Sequence, residues 1–321
     1  MNTDWQSDLE VWLAPFLAAL GHKAQRAMCP AYIAGLIGPG DRKSVQPMAA
    51  RSSDIPYDRL HHFVSAGVWD SAPLEAALWR HADHLVGGER SWLIIDDTSL
   101  PKKGEHSVGV APQYASTLGK KANCQTLVSV TLVSVTLASR EVPLMLSLRL
   151  FLPDIWTADP ARMKRAGVPL EHQGSRTKPE MAIDEIDRLC AAGVRFGCVL
   201  ADAGYGLSAP FRQALSARNL RWAVGIPRHQ KVCSADVELV FPARKRGPSR
   251  MHPVPDQQLK EELGLDHFEG RSWTGLHRHA LMSMMAYAFL QSRRLTAVGR
   301  KKKSHRPTTT AQSASNTTGH P

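Results

Sequence analysis

The sequence predicts a mixed α/β fold, in which helices flank a sheet and an all-helical region precedes it. Three observations favour this class. Apolar residues recur at helical spacing over roughly the first 90 residues, short runs of β-preferring residues follow, and helical and strand patterns alternate from residue 179 onward. Hairpin-connected strands followed by a strand, a helix and a strand are typical of a mixed sheet.

The amino-terminal region contains several helical patterns. The clearest one has an apolar residue at nearly every helical interval: Leu9, Trp12, Leu13, Phe16, Leu17 and Leu20. Similar patterns recur over residues 31–37, 57–68 and 73–86. Residues 38–54 are rich in Gly, Pro and Arg, so we expect an exposed connector there.

The first predicted strand is the short apolar run Trp92–Ile95. It ends on two carboxylates, Asp96 and Asp97, and Pro101 then begins a turn. The polar segment that follows, residues 102–125, predicts a loop or hairpin beside this strand.

The next strand contains the sequence VSVTL twice, at residues 128–132 and 133–137. Side chains of a strand alternate between its two faces, so a tandem copy of odd length inverts the faces. We therefore expect a bulge here, or one copy extruded from the sheet. A further strand over residues 142–152 should end at Pro153.

The carboxyl-terminal half alternates helices and strands. We expect helices over residues 179–192, 208–218 and 273–290, and strands over residues 198–201 and 221–227. Beyond residue 297 the chain is rich in Ser, Thr and Lys, a composition that predicts disorder.

Two predicted strands end on a carboxylate, the first at Asp96 and the second at Asp202. A right-handed crossover can place these strands side by side and parallel, at the sheet edge where α/β folds bind ligands. Two converging carboxylates repel each other, and a divalent cation between them, Mg²⁺ or Mn²⁺, would relieve the repulsion. The alternative is that the two aspartates are unrelated and only cap backbone turns.

The overall charge predicts a polyanionic partner. The formal net charge is +11, and seven Lys or Arg residues with no acid follow residue 292. Five scattered cysteines without a CxxC pair argue against a zinc site or a disulfide framework. With no signal peptide and no apolar run long enough for a membrane helix, we expect a cytoplasmic protein.

The sequence lacks the characteristic motifs of several enzyme classes. The sequence has no P-loop, HExxH or GxSxG pattern, so nucleotide hydrolysis, zinc proteolysis and serine esterase chemistry are not supported.

Three separated segments, residues 95–125, 199–206 and 257–273, together resemble the DDE transposases of bacterial insertion sequences. The resemblance runs from about residue 10 to 295 and is closest to the branch with a Tyr-Arg-Glu-Lys signature near the carboxyl end. It implies an RNase H-like catalytic core, a helical amino-terminal region that binds the ends of the element, and two-metal cutting and joining of DNA.

The resemblance assigns roles to individual residues. Asp96 matches the first catalytic carboxylate, in an Asp-x-Thr pattern with Thr98, and Asp97 is its neighbouring alternative. Asp202 matches the second carboxylate, so Asp96 and Asp202 are the predicted metal ligands. Lys260 matches the signature lysine, which would hold a DNA phosphate. From composition we further expect the lysines that bracket the polar segment to follow the phosphate backbone: Lys102, Lys103, Lys120 and Lys121.

The chain departs from the family pattern at the third carboxylate. The catalytic Glu should precede Lys260 by seven positions, where this sequence has Pro253. Glu261 and Glu262 lie too far along to replace a ligand without rebuilding the site. We therefore expect impaired DNA cleavage; the alternative is an inactive DNA-binding remnant. An RNA nuclease of the same fold is disfavoured, because no surface for stacking single strands is evident.

The sequence predicts three parts. Residues 1–90 form a helical DNA-end-binding region, residues 91–292 a catalytic core with a disrupted segment at 228–256, and residues 293–321 a basic disordered tail. The expected partners are double-stranded DNA at insertion-sequence ends and further subunits, in a homo-oligomer or a mixed oligomer with intact transposase.

Overall fold

The computed structural model of the chain describes residues 4–52, 55–115, 118–136, 139–228, 263 and 265–304. The predicted helical start is confirmed, and it consists of α1 (Asp4–Ala18), α2 (Lys23–Ile37), α3 (Val45–Ala50), α4 (Tyr57–Ser65) and α5 (Ala72–Val86). The connector expected to be exposed instead contains α3, and Lys43 and Met48 are buried in it.

The described residues form a six-stranded mixed sheet, as the sequence predicts. Its strands are β1 (Gly88–Pro101), β2 (Ala111–Ala115), β3 (Lys120–Thr136), β4 (Ser139–Phe151), β5 (Phe196–Ala201) and β6 (Trp222–Val224). The order is β2-β3-β1-β5-β6, and β4 also pairs with β3. β1 is antiparallel to β3 and parallel to β5, so it joins the hairpins to the crossover part of the sheet.

The doubled VSVTL sequence remains within β3. The ladder between β1 and β3 runs without interruption to Ser134, so the repeat is not extruded over these residues. The ladder with β4 does shift register between Val130 and Thr131, and the extra residue is Leu146 of β4. Because β3 is buried on both faces from Cys124 to Val133, inverting its side chains exposes none of them.

Helices connect and cover the later strands. They are α6 (Asp154–Thr157), α7 (Pro160–Arg165), α8 (Lys178–Ala191), α9 (Ala203–Gly206), α10 (Ala209–Ala217) and α11 (Trp273–Ser304). α8 begins with a capping box, in which Thr177 and Glu180 satisfy each other's backbone N–H groups, and Pro179 occupies the first turn.

The last helix links the amino-terminal helices to the sheet. α11 packs against α2, α4 and α5 on one side and against β4 on the other. Within this contact the Tyr32 hydroxyl lies 2.9 Å from His279 Nδ1. One hydrophobic core therefore contains residues from α1 through α11.

α11 is longer than the sequence pattern predicts. It continues to Ser304, past the expected end of the folded core at residue 292, while residues 305–321 lie outside the described part of the chain. None of the described helices is long and apolar enough to span a membrane.

Candidate active site

The two acidic strand ends lie next to each other. In the parallel ladder of β1 and β5, Ile94 pairs with Leu200 and Ile95 pairs with Ala201, so Asp96 and Asp202 are the next residues in register. Neighbouring strands are about 4.8 Å apart, which places the two backbones side by side. The geometric expectation behind the predicted site, two carboxylates at one sheet margin, is therefore met at the level of the backbone.

Asp202 ends β5 and caps the helix that follows. Its Oδ1 accepts the backbone N–H groups of Gly204 at 2.9 Å and Tyr205 at 3.3 Å. The capping role that we considered as an alternative is thus real for Asp202. It does not exclude a ligand role, because a carboxylate has about four lone-pair positions and a second oxygen.

Asp96 continues β1 beyond the point where β5 ends. It is half-buried, and its Oδ1 accepts the N–H of Asp97 at 2.7 Å. Its carbonyl accepts the Ser129 hydroxyl at 3.0 Å, which ties this point of β1 to β3. Two residues further on, Thr98 is buried, and its hydroxyl has no hydrogen-bond partner among the described residues.

Asp97 has a different environment. Strand alternation puts it on the same face of β1 as the buried Leu93 and Ile95, opposite to Asp96. Its Oδ2 pairs with Lys178 Nζ at 2.5 Å, and its Oδ1 accepts the Tyr205 hydroxyl at 2.6 Å. These two contacts balance the charge of Asp97 and tie it to α8 and to the turn after β5.

Tyr205 lies among all three carboxylates. Burial raises the pKa of its hydroxyl well above the usual value, and the negative charge of Asp97, the hydrogen bond to it, and the charges of Asp96 and Asp202 raise it further. Tyr205 is therefore a neutral hydrogen-bond donor at any physiological pH. All three aspartates lie close enough to act on its hydroxyl electrostatically.

Close backbone packing fixes the position of Tyr205. A Cβ added to Gly206 would lie 1.8 Å from the carbonyl oxygen of Gly225, which follows β6. Only glycine lets the turn after β5 approach the end of β6 so closely. This approach holds α9, and with it the Tyr205 side chain, over β1.

A buried ionic network anchors α8, whose first residue is Lys178. Arg149 on β4 makes two 2.8 Å contacts with Glu75 on α5 and one of 2.9 Å with Glu185 on α8. Glu185 also accepts the Ser147 hydroxyl at 2.7 Å, and Arg188 bridges both glutamates. Burial alone would raise the pKa of Glu185, but the charges of Arg149 and Arg188 outweigh it and hold that pKa below its usual value.

The predicted DNA-binding lysines lie away from the carboxylates. Lys102 and Lys103 follow the end of β1, about 20 Å along the strand from Asp96, and Lys120 and Lys121 begin β3. Lys103, Lys120 and Lys121 are exposed, whereas the Lys102 ammonium donates to the Phe268 carbonyl at 3.0 Å.

The remaining predicted positions fall outside the described residues. They are Lys260, which matches the signature lysine, Pro253, which replaces the catalytic Glu, and the neighbouring Glu261 and Glu262.

Sequence reasoning missed two residues of this site, Lys178 and Tyr205. Lys178 directly precedes the predicted helix over residues 179–192, and Tyr205 lies in segment 199–206, to which only Asp202 contributed a predicted role. Both contact Asp97, which is 81 residues from Lys178 and 108 residues from Tyr205 along the chain. The one available signal was the capping box of α8, which fixes where Lys178 begins its helix.

The donors at this edge fit a hard divalent cation. Asp96 and Asp202 offer carboxylate oxygens at this edge, while the Thr98 hydroxyl, two residues further along β1, is fully buried. Oxygen donors are those that Mg²⁺ prefers. Among the described residues, no group of three His, Cys, Asp or Glu side chains is arranged as a metal site, so two carboxylates form the whole described ligand set.

Comparison with known proteins identifies the family. The sequence model of the DDE superfamily endonucleases matches residues 15–279. A probable transposase for the insertion sequence element IS701, from Microchaete diplosiphon, is 33% identical over 168 residues, which are 52% of this chain and 40% of that protein. The match to that relative thus spans less than half of its length. The family match contains Asp96, Asp202 and all six strands of the sheet, and the chain belongs to the DDE superfamily endonucleases.

Proposed function

We propose that this chain is a transposase-type protein that cleaves and joins DNA strands at insertion-sequence ends, with Asp96 and Asp202 as its catalytic carboxylates. The observation that carries the proposal is the parallel register of β1 and β5, which makes Asp96 and Asp202 neighbours at one sheet margin. Membership of the DDE superfamily supports it, since that superfamily generally uses a divalent metal.

In this proposal the carboxylates of Asp96 and Asp202 would hold Mg²⁺ or Mn²⁺. A metal held there would supply activation of a water or a 3′ hydroxyl and stabilisation of the oxygen that leaves phosphorus. The protein's own part is to place the two carboxylates and to limit the mobility of the strand ends. Asp202 is held by two backbone N–H groups and Asp96 by the N–H of Asp97, so neither carboxylate must reorganise to meet a cation.

Asp97, Lys178 and Tyr205 act as positioning residues. The Asp97 carboxylate joins the amino end of α8 to the turn after β5, through Lys178 and Tyr205. It therefore clamps the strand end of Asp96 against the strand end of Asp202. Since Lys178 balances the charge of Asp97, a cation at the site has only the other two carboxylates to neutralise.

DNA is the substrate that this family membership implies, and the charge of the chain suits it. We assign the helical region up to residue 90 to binding the element ends, and Lys103, Lys120 and Lys121 to the phosphate backbone. These three lysines are exposed and lie roughly 20–30 Å along the strands from Asp96, which corresponds to about six to nine base pairs. Lys260, seven positions after the residue that matches the family's catalytic Glu, remains a predicted phosphate contact.

The sequence also supports a second function, a DNA-binding protein that has lost cleavage. Pro253 occupies the position of the family's catalytic Glu, and a proline ring cannot ligate a metal. With two carboxylates the metal would bind weakly, so cleavage should be impaired while DNA binding persists. Such a chain could occupy element ends alone or in a mixed oligomer with intact subunits.

One assay separates the two functions. The full chain is incubated with duplex DNA that carries the sequences flanking its own reading frame, in the presence of Mg²⁺ or Mn²⁺. Strand cleavage that is lost in Asp96→Ala and retained in Asp154→Ala, which changes an exposed aspartate of α6, supports the catalytic proposal. Binding without any cleavage supports the second function, and cleavage that survives Asp96→Ala rejects the assignment of the site.

A further inference from the structure

A basic groove lies beyond the carboxyl end of β1, where the turn after Pro101 meets the segment before α11. It has a volume of about 510 Å³ and is lined by the loop before α3, the turn after β1 and the segment before α11. Among the described residues, the basic side chains that line it are Arg42, Lys102, Lys103, His106, His267 and Arg271, and the carboxylate that lines it is Glu269. We propose that this groove binds the phosphate backbone of the DNA duplex.

The walls of the groove are held by specific contacts. Segment 267–271 is fixed from the helical side, where His267 Nδ1 accepts the N–H of Lys43 at 3.1 Å and Arg42 pairs with Glu269. It is fixed from the sheet side by Lys102, which donates to the carbonyl of residue 268, and by the N–H of Val108, which donates to the Arg271 carbonyl at 3.2 Å. The groove is thus formed before any ligand arrives.

Three of its basic side chains remain available. Lys103, His106 and Arg271 are exposed, and within the described residues their side chains make no hydrogen bond or ion pair. Between them lies Gly104, where an added Cβ would meet no atom within 4 Å, so a phosphate could approach the backbone closely. Arg side chains bind phosphate with two N–H groups at once, which suits Arg271 to the central contact.

The position of the groove fits a duplex that reaches the carboxylates. From Asp96 to Pro101 the strand advances by about 17 Å, which is the rise of about five base pairs of B-form DNA. A duplex with its reacting phosphate at Asp96 and Asp202 could therefore place backbone phosphates of the same end in the groove. This inference rests on the proposed function, because it takes DNA as the ligand.

Binding of a fluorescein-labelled duplex of arbitrary sequence, followed by fluorescence anisotropy over a series of salt concentrations, tests the groove. Arg271→Gln should weaken binding by about tenfold and lower the slope of log K against log salt by about one. The matched control is Arg221→Gln, which removes an exposed arginine beside β6, at the opposite end of the parallel strands, and should change neither quantity.

A second variant gives a change of the opposite sign. Glu269→Gln removes the carboxylate that the described residues contribute to the groove and ends its ion pair with Arg42, so affinity should rise. If the main effect were loss of the Arg42–Glu269 contact in the wall of the groove, affinity for DNA would fall instead. A rise in affinity therefore shows that the negative charge of Glu269 opposes DNA binding. Equal urea midpoints for all variants show that folding is unaffected.

Two results reject the groove while the proposed function stands: the wild-type chain binds but Arg271→Gln binds equally well, or Arg221→Gln and Arg271→Gln weaken binding alike. If the wild-type chain fails to bind DNA at low salt, the proposed function itself fails and the groove with it.

Discussion

The Tyr205 hydroxyl donates a hydrogen bond of 2.6 Å to Asp97 Oδ1. This bond joins the turn after β5 to the middle of β1, and the other oxygen of the same carboxylate pairs with Lys178 on α8. Three elements that are distant along the chain thus meet at the half-buried carboxylate of Asp97, directly beside Asp96.

Removing this hydrogen bond should destabilise the protein. Tyr205→Phe leaves Asp97 without a buried donor, and hydrogen bonds to charged groups contribute about 1.5–3 kcal/mol. We expect a decrease of that size in the free energy of unfolding in urea. Tyr114→Phe is the control, because Tyr114 is 62% exposed and should change stability little. Equal losses in the two variants would contradict a special role for Tyr205.

Mutation of the ionic network behind α8 should lower the free energy of unfolding far more than mutation of a surface ion pair. Arg149→Met leaves Glu75 and Glu185 buried without their main partner, and breaking a buried pair in this way costs about 3–5 kcal/mol. Arg195→Met removes the pair with Asp83, in which Arg195 is 64% exposed, and should cost less than about 1 kcal/mol. Urea unfolding of both variants measures the difference, and a small effect of Arg149→Met would show that the glutamates are solvated.

Stability should fall as the pH falls from about 6.5 towards 4, because His277 must stay neutral. Its Nε2 accepts the N–H of Leu150 at 3.3 Å, and burial, together with the charge of Arg149, lowers the pKa of His277 to about 4. In the unfolded chain His277 takes up a proton near pH 6.5. Between pH 6.5 and pH 4 the free energy of unfolding should therefore decrease by up to about 1.4 kcal/mol for each pH unit of acidification.

His277→Gln tests this dependence. A glutamine can accept the Leu150 N–H without ionising, so the variant should show a flatter profile of unfolding free energy between pH 7 and pH 5. The pH range ends at 5 so that the buried Glu75 and Glu185 do not take up protons within it, because the pKa values of both lie below the usual one. A profile identical to that of the wild type would assign the pH dependence to other groups.

Divalent metal should stabilise the wild-type chain and not the carboxylate variants. A ligand that binds only the folded state raises the melting temperature, so millimolar Mn²⁺ should raise it for the wild type. The increase should disappear in Asp96→Asn and in Asp202→Asn and persist in Asp58→Asn, which changes an exposed aspartate of α4. An increase that survives both site variants would place the metal elsewhere.

Local patterns were enough to predict much of the fold. The alternation of apolar runs with turns gave the strands that end near Asp96 and Asp202, and apolar spacing gave the amino-terminal helices. The same reasoning was less successful in two places. The Gly- and Pro-rich connector contains α3 and a buried Lys43, and the basic stretch after residue 292 continues α11 as far as Ser304.

By itself, the sequence determined the family, the order of helices and strands, and the two acidic strand ends, because these depend on local spacing and motifs. Only the tertiary structure decided which residues surround those carboxylates. Asp97 meets Lys178 and Tyr205, and segment 267–271 meets Arg42 and Lys102, across separations that no local pattern encodes. The reason is physical: strand pairing and core packing set such contacts, and both depend on the whole chain being folded.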